Sequence, residues 1–541
     1  MKYLCGVHVG NQNLYPNYVN SGDFLKFQGQ RAVFATTEIQ NPAYFVYLLG
    51  IAHHLKKINC TIEFVFFVEP KQLKFKKAIE FFEKELGRLG LYNSSVIRIL
   101  AQPVLDRHKG VLSQLNLMRT IADFKTLDSK FQYLSNSIYS TYCSNYSLTS
   151  DPRYPLRRLK KSHVGLGEDF LITYEGMISL LSARNYDVVF FFNGRYPSQA
   201  SIKEAAEEFG VDWFVVEHGS VPESSVHIER FQTQDRSSIQ EFILGWSRGL
   251  SAQQASAFTT ESRRWLKRQQ EDGSQNPFLR VSSDRYNWQF QDKKLATIFT
   301  SSLDEEIACP GWGGDNIQSL IRRTVLFCKM LSSEGYEPVV VIHPNTGNKT
   351  WHDLSLMYRT FSRESISCIP PWAAVSSYRL ADQSEVIATW RSTIGLEMIS
   401  KNICINLLSE SQYDLLLNPR RIKDDDFSYS GVSDGTQDSY LANLIVYYYN
   451  YHGYRLESFL DGVPLSSELF SFQKILLEKN WVLGVRRRLK IILVLFRGFS
   501  ATPNEYSKFL QPILGIRLSK IVLKVLQNLY ARRYLYGFDF N

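Results

Sequence analysis

The chain has 541 residues, yet no uncharged run approaches the length of about eighteen that a membrane span needs. Its N-terminus, MKYLCGVHVGNQNLY, carries one lysine and no apolar core of signal-peptide length. Neither a spanning helix nor export by a cleaved leader is expected. Cysteine is sparse: Cys5, Cys60, Cys143, Cys309, Cys328, Cys368 and Cys404 are scattered, odd in number and without a CxxC pair. That pattern speaks against a structural zinc site and a disulfide framework, and fits a reducing cytoplasm. Internal repeats and low-complexity segments are also lacking. What remains, 44% hydrophobic and 21% charged residues, is the composition of an ordinary globular protein too long for a single core.

The body of the chain also lacks net charge. From Trp481 to Asn541 eleven Lys or Arg stand against Glu505 and Asp539, a net +9 that equals the whole chain's +9. The excess is confined to a tail otherwise rich in Leu, Ile, Val and Phe. Such a tail reads either as an element lying on an anionic membrane surface or as helix packed on its own domain with a solvated basic face. With no basic patch and no nucleic-acid motif in the body, nucleic acid is not an expected partner.

Strands and helices alternate along most of the chain. RAVFAT (31–36), a helix over 42–57, TIEFVFFV (61–68), a helix over 72–86 and SVIRIL (95–100) begin a doubly wound parallel sheet. A polar, tyrosine-rich and mostly helical stretch, 105–181, reads as an insertion. The alternation resumes with YDVVFFFNGR (186–195), a helix over 198–209, VDWFVVEHGS (211–220) and a helix over 246–267. Residues 268–294 are polar and aperiodic, a linker. Beyond it come LATIFTSS (295–302), a glycine-rich loop, a helix to about Leu331, EPVVVIHPN (337–345), a helix near 353–361, ISCI (366–369), VIAT, a helix starting near Gly395 and ICINLL (403–408). The expected domains are an N-terminal Rossmann-like domain over 1–270, a linker over 271–294, a C-terminal Rossmann-like domain over 295–480 and the tail over 481–541.

Polar residues gather where the buried strands stop. VVVIHPN ends in His343-Pro344, and VIATWRSTIGLEM gives way to Arg391-Ser392-Thr393, a glycine and a helical run bearing Glu397. Thr300 and Ser301 close the LATIF strand. In open α/β sheets ligands bind beyond the carboxyl ends of strands, where helix N-termini and hydroxyls favour an anion. In the first half, one strand ends in Asn193-Gly194-Arg195 and the next in Glu217-His218-Gly219-Ser220. A carboxylate beside an imidazole suits a general base or a charged-ligand contact. The plainer reading is an N-cap for Ser392-Thr393 and a structural histidine for His343 and His218.

FFNGRYPSQASIKEAAEEFGVDWFVVEHGS, the IHPN strand end and IPPWAAVSSYRLADQSEVIATWRSTIGLEMI resemble bacterial capsule and surface-polysaccharide biosynthesis proteins. They are similar, more distantly, to bacterial sialyltransferases and Kdo transferases. The resemblance spans roughly Asp187 to Leu408 and implies a GT-B glycosyltransferase: two Rossmann-like domains facing a cleft, followed by C-terminal helices. It also implies that His343 and Pro344, with Ser392 and Thr393, meet the donor phosphate. On physical grounds Arg391 beside them would add a charge-assisted contact, and Glu397, on the first turn of its helix, suits a cap or an acceptor for a ribose hydroxyl. Glu217 or His218 would be the base, with Asn193, Arg195, Thr300 and Ser301 as further cleft contacts. The chain departs from the sialyltransferases in having one carboxylate in Glu217-His218-Gly219 where they carry two. Its His-Gly turn and HP pair also resemble the teichoic-acid glycerophosphotransferases. There is no convincing Glu-x7-Glu donor signature and no clear DxD or His/carboxylate cluster. The expected activity is transfer of a sugar from a CMP- or UDP-linked donor to a glycan or lipid-linked glycan, without metal or cofactor, in the cytoplasm or on the inner face of the membrane. CDP-glycerol-type phosphotransfer and a non-catalytic assembly subunit are the alternatives.

Overall fold

The structure, a computed structural model, describes residues 24–36, 42–68, 76–91, 94–98, 101–120, 123–124, 127, 130–146, 163–218, 225–231, 235–272, 294–303, 309, 312, 315–343, 346, 351–369, 371, 376–417, 419–422, 439–451, 454–455 and 459. The basic tail and most of the expected linker lie outside the described residues.

The first half contains β1 (Arg31–Thr36), α1 (Pro42–Lys57), β2 (Thr61–Val68), α2 (Lys76–Arg88), β3 (Ser94–Arg98), α3 (Ala101–Arg107), α4 (Lys109–Leu117), α5 (Leu134–Tyr146), α6 (His163–Ala183), β4 (Val188–Phe192), α7 (Pro197–Glu208), β5 (Asp212–His218) and β6 (Ser225–Glu229). Then come α8 (Arg236–Gly249), α9 (Ala252–Asp272), β7 (Lys294–Phe299), α10 (Ile317–Ser333), β8 (Tyr336–Val341), α11 (Trp351–Arg363), β9 (Ser367–Ile369), α12 (Ser377–Gln383), β10 (Val386–Thr389), α13 (Thr393–Ile399), β11 (Asn406–Leu407), α14 (Asp414–Leu417), β12 (Arg420–Arg421), α15 (Ser439–Tyr451) and β13 (Tyr454–Arg455).

These strands form two sheets, ordered β13-β6-β5-β4-β1-β2-β3 and β12-β11-β10-β7-β8-β9. In both, the first three strands run outward one way and the later ones the other, the Rossmann-like order with a topological switch between the first and fourth strands. The switch lies between β1 and β4 in the first sheet and between β7 and β10 in the second. Val188–Phe192 is buried throughout, as is Val386–Thr389, as central parallel strands require. The expected α/β class with two Rossmann-like sheets holds, with one difference. In the first sheet β6 and β13 pair antiparallel at the edge. The link from β5 to β6 is too short for a helical crossover, so the chain turns back as a hairpin.

Both faces of each sheet are covered. Phe34 stacks between Phe64 and Phe190, with centroids 4.9 and 5.0 Å away, on one face of the first sheet. On the other face Leu115, Ile138, Phe170 and Met177 pack with Val33, Val65 and Val189. The tyrosine-rich stretch read as an insertion thus supplies helices α4, α5 and α6 to that layer. The single helix expected over 246–267 is two, broken at Leu250-Ser251. There Ser251 accepts from the Gln254 N–H at 3.2 Å while Gln254 Oε1 accepts from the Ser251 N–H at 2.9 Å, a capping box. Ile239 and Ile243 of α8 and Leu266 of α9 pack in the core of the second sheet, with Leu295 and Ile387. Conversely, β13 and Phe459, from beyond the second sheet, join the first sheet and its core.

Candidate functional site

Two polar clusters form, one beside each switch point. In the second sheet, β7 and β10 are paired in register to Phe299↔Thr389, and the residues just beyond them meet. Thr300 Oγ1 accepts from the His343 N–H at 2.9 Å, and Ser301 Oγ accepts from the Arg391 N–H at 3.2 Å. Thr300, Ser301 and Arg391 are all buried. The guanidinium of Arg391 is fixed from two further sides: Nε donates to Ser409 Oγ at 3.2 Å, and its carbon lies 4.7 Å from the Trp312 ring centre. Ser409 in turn donates to Asp315 Oδ2 at 2.8 Å, and Asp315 pairs with Arg323 at 3.3 Å. Trp312 has a second cation near it, Arg236, at 5.8 Å. Arg236 is buried and bound to both oxygens of Asp414, at 2.6 and 2.7 Å. A buried, oriented arginine beside several hydroxyls is an arrangement able to take a phosphate.

Ser392 and Thr393 behave differently from the plain cap. Ser392 does occupy the N-cap position of α13, but its side chain makes no capping hydrogen bond. Its carbonyl accepts from the Tyr413 hydroxyl at 3.1 Å, which ties the helix start to the next loop. Gly395 is required by that packing, since a Cβ there would lie 2.2 Å from Tyr413 Oη and 2.8 Å from Ile405 Cδ1. Because α13 begins at Thr393, two residues before the expected start, Glu397 is on its second turn. It is buried beside Tyr378 and Thr393, both of which hydrogen-bond to it, and burial pushes its carboxyl up to about 7. The first-turn capping role expected for Glu397 does not fit this position.

In the first sheet Asn193 organises the cluster. Its backbone has φ of +63°, with Gly194 following at +78°. Its Nδ2 donates to Glu217 Oε2 at 2.7 Å, while its Oδ1 accepts from Arg195 N–H at 3.2 Å and from Arg195 Nε at 3.3 Å. Asn193 and Arg195 are buried and Glu217 is half-buried. A carboxylate held by an amide and partly open to solvent has the geometry of a general base. His218 ends β5, but its side chain, like Pro344, lies outside the described residues.

The structure therefore joins Thr300 to His343, Ser301 to Arg391, and Asn193 to Arg195 and Glu217. Sequence reading missed Trp312, Asp315, Ser409 and Asp414, which act across long separations; only Trp312 carried a local signal, its place in the glycine-rich loop. Among the described residues no group of three or more His, Cys, Asp or Glu side chains converges as a metal site would require, and no helix is long and apolar enough to cross a membrane.

No family model matches the chain, and no curated protein does. Among solved structures it is similar to KpsC of Thermosulfurimonas dismutans, a beta Kdo 2,4 transferase, at 13% identity and a TM-score of 0.35, over 48% of this chain and 79% of that one. It is similar also to the UDP-GlcNAc 2-epimerase of Methanocaldococcus jannaschii, at 12% and 0.28, over 77% and 98%. A third is the trehalose 6-phosphate synthase of Burkholderia multivorans, at 9% and 0.32, over 83% of this chain and 100% of that one.

Proposed function

We propose that the chain is a GT-B glycosyltransferase that moves a sugar from a nucleotide-sugar to a growing cell-surface polysaccharide. The observation that carries this reading is Arg391, buried at the switch point of the second sheet and held by Ser301, Ser409 and Trp312. A cation fixed before ligand arrives can stabilise a leaving phosphate without reorganising as charge develops. His343 with Pro344, and Ser392 with Thr393, would add donors to the same phosphate. Glu217, oriented by Asn193, would take the proton of the acceptor hydroxyl as that oxygen bonds to the anomeric carbon and the bond to the nucleotide phosphate breaks. His218 shares the strand end and is the second candidate for this proton. The donor is CMP- or UDP-linked, the acceptor a glycan or lipid-linked glycan. Protein donors would do the work a metal does elsewhere. The basic tail supports a place at the inner face of the cytoplasmic membrane.

The experiment is a calorimetric panel of CMP, UDP and GDP, followed by donor screening with mass spectrometry. A released nucleotide with a glycosylated acceptor is the expected result. CMP with a phosphoglycerol product would instead identify a glycerophosphotransferase, and no binding of any nucleotide would leave an assembly subunit as the better reading.

A further inference from the structure

We propose that a small pocket beside the phosphate cluster receives one hydroxyl group of the donor's sugar, and that Thr346 selects for it. This inference rests on the glycosyltransferase reading above. The pocket lies at the carboxyl ends of β7 and β8, next to the first turns of α10 and α11. Ser301, Ser302, Thr346 and Asp353 line it, over Ile317 and Met357. Its volume of about 10 Å³ fits one water-sized group.

Thr346 is 3% exposed, and its Oγ1 makes no hydrogen bond. Its N–H, by contrast, donates to the His343 carbonyl at 3.0 Å, so the residue is fixed in place. Buried hydroxyls are nearly always partnered, and one that lines a polar pocket marks where a partner belongs. Asp353, 6% exposed on the first turn of α11, adds carboxylate oxygens to the same lining. A group that suits both must donate to the Asp353 carboxylate and exchange a hydrogen bond, in either direction, with the Thr346 hydroxyl, which a neutral sugar hydroxyl does and a carboxylate or phosphate without a proton does not. Ser301 connects this pocket to the proposed phosphate site, because the same residue accepts from the Arg391 N–H. A group in the pocket is thus a neighbour of a phosphate at Arg391, as a sugar ring attached to that phosphate would be. The donor class is a sugar with a free hydroxyl at that place, and its deoxy counterpart is selected against.

The test uses the full chain and calorimetry. CMP, UDP and GDP are titrated first, then the sugar conjugate of whichever binds: CMP-N-acetylneuraminate, UDP-glucose or GDP-mannose. Thr346→Val removes the hydroxyl and nearly keeps the shape, while Thr346→Ser keeps the hydroxyl. The expected result is unchanged affinity for the bare nucleotide in both variants, with conjugate affinity lowered on the order of tenfold in the valine variant alone. The valine variant should melt no lower than the unmodified chain, since its lost hydroxyl had no partner to lose. Equal conjugate affinity in the valine variant overturns the proposal, as does an equal loss for nucleotide and conjugate. A lower melting temperature that serine does not restore would make the residue structural and overturn it too. If the unmodified chain binds no nucleotide, the glycosyltransferase reading fails, and the inference with it; that outcome needs no variant, so the two failures are distinguishable.

Discussion

Asn193 adopts a left-handed backbone conformation that asparagine tolerates better than most residues, and from it one amide reaches both Glu217 and Arg195. The two roles separate by substitution. Asn193→Gly relieves the backbone and Asn193→Ala strains it by about 1 to 2 kcal/mol, yet both release Glu217. Both variants should lose turnover, by up to about 10²-fold, with nucleotide affinity unchanged, and alanine alone should be the less stable. Glu217→Gln should cost about 10²- to 10⁴-fold in turnover. Full turnover in the glutamine variant would falsify the assignment of Glu217 as base. At Arg391 the side chain is fixed by its Nε and its plane, neither of which lysine reproduces. Arg391→Lys is therefore expected to weaken nucleotide binding nearly as much as Arg391→Met, by roughly 1.5 to 3 kcal/mol. Recovery of affinity in the lysine variant would reduce the site to a simple point charge. Glu397 gives a prediction about pH. Its carboxyl is raised from 4.5 to about 7 by burial, so the folded state holds a proton that the unfolded chain releases earlier. Its stabilising contribution is complete below about pH 4.5 and is lost as pH rises to about 7. The stability difference between the unmodified chain and Glu397→Gln should fall across that window and level off above it, as urea melts at a series of pH values would read. A flat difference would mean that the carboxyl is ionised throughout.

At the scale of elements, α13 shows what a local pattern conveys and what it does not. A polar Arg-Ser-Thr triplet after a short apolar strand identified the turn, because a buried strand must stop where its polar residues begin. The same pattern placed the helix start at Gly395, since glycine reads as a boundary. In fact Gly395 is inside the helix, where its missing Cβ lets Tyr413 and Ile405 approach. That requirement comes from a loop some ten to eighteen residues further on, and nothing in the local sequence announces it. Gly395→Ala should push α13 from Tyr413, costing about 1 to 3 kcal/mol of stability and weakening nucleotide binding through Ser392 and Thr393. Tyr413→Phe in the same chain removes the 2.2 Å contact and should restore part of the stability. No recovery in the double variant, measured by thermal melts, would place the strain elsewhere. The parallel strands β1 to β5 and β7 to β11 were legible because an apolar run bounded by polar residues is a local signal, and β1 and β2 carry the expected bounds; β6, β12 and β13, short edge strands without such a run, were not read. The Arg236–Asp414 pair and the Ser409–Asp315–Arg323 chain were not, because each joins residues whose proximity only the folded sheet creates.

At the scale of the whole molecule, charge and topology act separately. The neutral body and the +9 tail from Trp481 onward would give the proposed transferase an electrostatic address. On anionic vesicles the full-length protein should co-sediment at low salt and release as salt rises, each Lys or Arg contributing on the order of 1 kcal/mol. A variant with Arg486, Arg487, Arg488 and Lys490 all changed to Gln should bind distinctly less, and neither protein should pellet with neutral vesicles. Equal pelleting of the two proteins on both vesicle types would show the tail packed against its own chain. The topology has its own consequence, for the order in which the protein is made. Tyr454 pairs with Val226 at the edge of the first sheet, and Phe459 sits in that sheet's core against Phe24 at 5.6 Å. During synthesis the first sheet is thus left with a bare edge and a gap in its core until residues 454–459 leave the ribosome. By then the whole second sheet has been translated. The two halves cannot mature one after the other as independent beads. A fragment ending at residue 235 would carry β6 with its outer edge unpaired, the kind of exposed strand on which growing chains aggregate.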